Sequence, residues 1–133
     1  MAVFEKLPER IRKTAQENIS QGEQIKMCLL AGSSMSSSRD YVVITSQRVL
    51  VLDERTMGTL GKTYVNVKEN VPIDQITEVD ISRTFMNRIL GQSSMGMQIE
   101  RYKYLINNGS KKEIQTAAEL INDLAHLTAD GKN

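Results

Sequence analysis

The chain has 133 residues, 17 Lys+Arg against 16 Asp+Glu for a formal charge of +1, and one cysteine. That length makes one domain with room for a sizeable core. The charge balance excludes a dedicated nucleic-acid binder, which needs a net positive footprint, and a lone thiol excludes an intrachain disulfide framework or a cysteine-built zinc site.

In chain order, Leu7, Ile11, Ala15 and Ile19 recur every four residues, and Pro8 falls where a first helical turn accepts it. This spacing predicts an amphipathic helix from about Pro8 to Asn18, stopped near Gly22. Its charges are mixed, with Lys6, Arg10, Arg12 and Lys13 set against Glu5, Glu9, Glu17 and Glu23. A helix lying on a membrane surface is biased towards lysine and arginine, so this one is expected to pack on the domain or on a partner chain. With Glu5 and Glu9 and no apolar core, the N-terminus does not read as a secretory signal. No apolar run approaches the roughly 18 residues that a membrane span needs. A soluble, cytoplasmic protein is the expectation.

Strand-like segments follow at Ile25–Ala31, Tyr41–Thr45, Arg48–Asp53, Thr63–Val71, Ile76–Ser82, Met97–Glu100 and Tyr104–Asn107. They are short, separated by turn-prone residues, and have no helix-length segment between them, which favours a sandwich or barrel over a parallel sheet. The last two form either two strands or one longer one. Cys28, inside the apolar run Ile25–Leu30, reads as a small buried hydrophobe. Asn108-Gly109 is expected to break the last strand. Ser110 and Glu113 then have the spacing of a capping box. Ile114, Ala117, Ala118, Ile121, Leu124 and Ala125 line one face of the helix that follows, widened by Leu120 and Leu127. A stripe this broad is expected to plug the open end of a barrel.

Three stretches in this order carry a family resemblance. In "VITSQRVLVLDE", a strand ending at Thr45 turns through Ser46 and Gln47 into Arg48 and the apolar strand Val49 to Leu52. In "VPIDQITEVDIS", Pro72 marks a turn and Ile76 begins the next strand. "INNGSKKEIQTAAELINDL", Ile106 to Leu124, leads a strand into the closing helix. Together these resemble the bacterial PH-like domains, the YokE-like group in particular, over roughly residues 22 to 127. The resemblance implies a mostly β fold: a seven-stranded antiparallel PH-like barrel capped by a C-terminal helix, with an extra N-terminal helix over residues 1–21 and a tail from 128 to 133. It also implies a non-catalytic protein-interaction scaffold, often homo-oligomeric, from a bacterium or a phage. The turn itself needs polar residues that can satisfy their own backbone, and Arg48 is expected to lay its stem over the barrel and pair at the surface.

No catalytic, cofactor or metal constellation emerges. His126 is the only histidine and belongs to the end of the last helix. Neither a Cys–His nor a Ser–His pair can be drawn with any other histidine. Asp74 and Asp80 read as solvated carboxylates, and "GQSSMG" lacks the lysine of a P-loop. Eukaryotic PH domains hold inositol phosphates with a lysine on the first strand and basic residues in the next loop. Lys26 and Arg39 match that pattern by half, in a Ser-rich loop where Asp40 opposes an anion. Lys111 and Lys112 open the last helix, where acidic residues are the norm. With Arg101 and Lys103 they read first as solvated charges; the alternative is that the four gather near a helix N-terminus and offer a site for a phosphorylated ligand or an acidic partner surface. The remaining anomaly is Arg83 to Met97. Phe85, Met86, Ile89, Leu90 and Met95 are a large apolar load for a connection, and connections are normally polar. Either the segment folds inward onto the barrel, or it presents these side chains to another chain.

Overall fold

The computed structural model describes residues 3–32, 39–59 and 61–131, with side chains described as far as residue 126. Helix α1 (Glu9–Glu17) comes first, followed by β1 (Ile25–Ala31), β2 (Asp40–Thr45), β3 (Arg48–Met57) and β4 (Lys62–Pro72). After a 3-10 turn at Ile73–Gln75 come β5 (Ile76–Ser82), the short helix α2 (Phe85–Leu90), β6 (Gln92–Ile99), β7 (Tyr102–Ser110) and α3 (Lys111–Gly131). The strands form two antiparallel sheets, β1-β2-β3-β4 and β5-β6-β7. The end of β1 meets the end of β7 through a Gly32 N–H bond to the Asn107 carbonyl, 2.6 Å. The expected mostly β architecture, closed by a C-terminal helix, is what forms.

The central strands read as continuous apolar runs because both of their faces are buried. One face of β1, β2 and β3 sends Met27, Leu29, Val42, Ile44, Val49 and Val51 into the main core with Met95, Met97 and Ile106. Ile114, Ala117, Ala118 and Ile121 of α3 fill the same core, which satisfies the expected plug. Leu127 and the proposed tail lie outside the residues whose side chains are described. The opposite face sends Cys28, Val43, Leu50 and Leu52 into a smaller core, roofed by Leu7, Ile11 and Ala15. Helix α1 therefore packs on its own domain, one of the two expected roles. Pro8 stands as its N-cap residue and Asn18 as its C-cap.

At the C-terminal sheet one open alternative is decided and one expectation changes. β6 and β7 are separate strands, divided at Glu100, whose φ of 48° makes the turn. Asn108-Gly109 does not end β7, because the ladder continues to Ser110 opposite Gln92. Asn108 instead takes the left-handed conformation, φ 60°, where the register shifts between Ser93 and Met95. Its N–H bonds Ser94 Oγ at 3.2 Å, so the pair works as a β-bulge. Over the outer face of this sheet, Lys103 pairs with Asp80 across Gly96, where a Cβ would collide with both side chains.

Candidate functional site

The Thr45–Arg48 turn is structural. Thr45 Oγ1 accepts from the N–H groups of Gln47 (3.1 Å) and Arg48 (2.9 Å), and donates to Glu23. Arg48 grips the same carboxylate through Nε and Nη2, both at 2.9 Å. The Glu23 side chain is fully buried, at 0 % exposure. Arg48 thus pairs inward, tying the α1–β1 connection to the hairpin. Cys28 is buried as expected, and burial, with Glu5 nearby, pushes its thiol up to about 11.

Most of the candidate cations stand apart. Lys26 stands near the Thr45 end of the β1–β2 pair, bonded to Gln24 at 3.0 Å. Arg39 precedes Asp40, which lies opposite Ala31 at the other end. Five residues of strand, roughly 17 Å, separate those ends. Arg101 and Lys103 stand at the start of β7, and Lys111 and Lys112 follow its end. Strand geometry puts roughly 25 Å between the two pairs, so these four charges do not gather. Lys103 is also spent on Asp80. What does come together is Arg39 with Ser110 and Glu113, around a cavity of about 340 Å³ also lined by Leu30, Leu90, Gly91 and Asn108.

The cavity adjoins α2, where the apolar load of Arg83–Met97 divides. Met95 is not part of an exposed face: β6 begins at Gln92, and strand alternation turns Met95 into the core at 0 % exposure. Phe85, Met86, Ile89 and Leu90 behave in the opposite way. They are 77 %, 57 %, 60 % and 52 % exposed. The one buried residue of α2 is polar, Asn87. Its Oδ1 accepts from Thr84 N–H (3.1 Å) while Thr84 Oγ1 accepts from Asn87 N–H (3.0 Å), a reciprocal cap. Asn87 Nδ2 then donates to Asn108 Oδ1 at 2.8 Å, pinning the helix to the β7 bulge. Gly91, at φ 67°, ends the helix, and the Lys111 N–H bonds its carbonyl at 3.1 Å. This inverts the usual amphipathic helix: polar bonds hold α2 down, and its apolar face points to water. Sequence reasoning missed Asn87, because its decisive partner is 21 residues away.

Comparisons with known proteins agree on the fold. A family model described as bacterial PH domain matches residues 18–123. No curated protein matches the chain. Among solved structures the chain is similar to a DUF1696 family protein with a pleckstrin-homology domain from Shewanella loihica PV-4. The TM-score is 0.56 at 15 % identity, over 86 % of this chain and 90 % of that one. At that identity the likeness concerns the fold.

Proposed function

Since the chain belongs to the bacterial PH domain family, we propose that it is a non-catalytic binding and assembly module, working through protein–protein contacts and self-associating through α2. It acts in the cytoplasm of a bacterium or of a cell infected by a phage that encodes it. The observation that carries this reading is the inverted helix: Phe85, Met86, Ile89 and Leu90 are all more than half exposed, while Asn87 alone is buried. Burying one such side chain is worth about 1.5–3 kcal/mol, so several of them held in water on a well-anchored helix favour a partner surface. Phe, Met and Arg are the residue types enriched at protein interfaces, and Arg83 and Arg88 flank this face. The scattered cations give no comparable support to capture of a phosphorylated ligand.

The test is Met86→Glu with Leu90→Glu, with molar mass measured by light scattering and folding checked by thermal melting. Charge placed in the centre of an interface should lower the mass to that of one chain without changing the melt. An unchanged assembly, or a variant that unfolds, removes the reading.

A further inference from the structure

The core-facing side of the strands changes character at the end away from the Thr45–Arg48 turn. Val42 of β2, Val51 of β3, Val71 of β4 and Ile106 of β7 face the main core. Strand alternation carries the same face onto Asp40, Asp53, Glu69 and Tyr104. Burial and then the charges of Asp40, Glu69 and Asp53 raise the Tyr104 phenol, so the three carboxylates bear on one point. Lys68 bonds Asp40 at 3.0 Å and Arg55 pairs with Asp53 Oδ2 at 3.3 Å. Three carboxylates and two cations leave one negative charge over.

Two features of this cluster are unfavourable as they stand. Asp40 and Asp53 are direct cross-strand partners, and like charges directly opposite destabilise a sheet. The Asp53 side chain is only 10 % exposed, and its Oδ1 has no hydrogen-bond partner among the described residues. Buried charged oxygens are normally paired, so Oδ1 is an exception that calls for a donor. One added cation relieves both, and the surroundings fit an organic one. Among the described residues, no group of three or more acidic, His or Cys side chains is placed to hold a metal ion. Tyr102 and Tyr104 continue the same face of β7, and aromatic rings attract ammonium groups. An ammonium on an unbranched alkyl stem suits a buried acceptor better than a broad, planar guanidinium.

We propose that this end of the β-structure binds a primary alkylammonium group, which donates to the Asp53 carboxylate while Asp40 and Glu69 balance its charge. The group takes over from Arg55, whose bond to Asp53 is long for a charged pair and whose side chain is half in water. The same chemistry is presented by a free polyamine and by a lysine side chain of another protein. The site is independent of the reading of α2.

The experiment uses the full chain at fixed ionic strength, with putrescine and a capped lysine peptide as probes and amide chemical shifts as the readout. Titration should move the signals of Asp40, Asp53, Glu69 and Tyr104 saturably and leave those of α1 and α2 in place. Asp53→Asn should weaken binding by about tenfold or more, as for loss of a charge-assisted hydrogen bond. Arg55→Gln should tighten it by about two- to fivefold, because the competing pair is exposed and weak. A merely structural role for the two residues would not move affinity in opposite directions. Putrescine bound more tightly than the peptide assigns the site to a polyamine, and the reverse assigns it to a partner's lysine; either supports the proposal. No saturable shift with either probe overturns it. So does an equal response to magnesium or to tetramethylammonium, which has no N–H to donate and reports screening alone. If Asp53→Asn does not fold, Arg55→Gln decides: affinity no higher than that of the wild type overturns the site.

Discussion

Glu23 shows how much one buried carboxylate holds in place. Burial by itself raises its pKa, but hydrogen bonds from Arg48, Thr45 and the Ser20 N–H outweigh that and leave it below the ordinary value of 4.5. A depressed folded pKa means the stabilisation is fully present above the unfolded value and is lost as pH falls through the folded one. Arg48→Met removes the cation and leaves a buried charge unpaired. The expected loss at pH 7 is about 2–3 kcal/mol, below the range for a fully buried pair because Arg48 keeps part of its surface in water. Denaturant melts at stepped pH should show this deficit shrinking below pH 4.5, as Glu23 protonates in the wild type too. A deficit that stays constant with pH would mean that Arg48 acts by packing alone. Cys28 gives a simpler check. With its thiol pushed up to about 11 and its side chain buried, alkylation at pH 8 should proceed only as fast as the chain unfolds. Rapid modification of the folded protein would contradict the smaller core under α1.

Elements differ in how far their sequence announces them. α1 and α3 were legible because each buries one stripe, and β2 and β3 because burial on both faces leaves unbroken apolar runs. β6 was not legible over its first half. Gln92, Ser93, Ser94 and Gly96 have poor strand propensity, and they are held by pairing to β5 and β7 and by the Lys103–Asp80 cover over Gly96. The exposed face of α2 showed in the sequence only as misplaced apolar residues. Whether they turned inward depended on Asn87 finding Asn108, a long-range pairing with no local signal. Asn87→Ala should therefore loosen α2 specifically, costing about 1–3 kcal/mol and speeding amide exchange across residues 85–90. Exchange unchanged there would show that apolar packing, not the polar pin, positions the helix. In α3, Ile121 is fully buried, and Ile121→Ala should cost about 2–5 kcal/mol. Ser110→Ala should fall at the low end of the usual 0.5–2 kcal/mol for a lost cap, about 0.5, because Ser110 Oγ accepts from Glu113 N–H at 3.5 Å, the long limit of a hydrogen bond. Both are read from chemical denaturation.

Across the whole molecule, charge is arranged against an anionic ligand at one end of the β-structure. Asp40 and Asp53 pair in register at the end of β2 and β3 away from the Thr45–Arg48 turn. Glu69 joins them from β4, taking a hydrogen bond from Tyr102 at 2.9 Å. Burial and then the charges of Asp40, Glu69 and Asp53 push the Tyr104 phenol up to about 12, so all three carboxylates act on one point. Lys68 bonds Asp40 at 3.0 Å and Arg55 pairs with Asp53 at 3.3 Å, which commits the nearest cations to these acids. A phosphate arriving there would meet carboxylates first and would have to displace existing ion pairs to find a cation. Lys26 and Arg39 stand at opposite ends of the β1–β2 pair, roughly 17 Å apart, and Lys103 and Lys111 at opposite ends of β7, roughly 25 Å apart. The expected outcome is that inositol phosphates and nucleotides leave the melting temperature unchanged at low salt, where electrostatic binding is strongest. Asp40→Asn combined with Glu69→Gln should then allow weak, salt-sensitive stabilisation by the same compounds, since it frees Lys68 and removes the repulsion. A clear stabilisation of the wild-type chain, abolished by Arg39→Ala, would place a phosphorylated compound in the cavity beside α2.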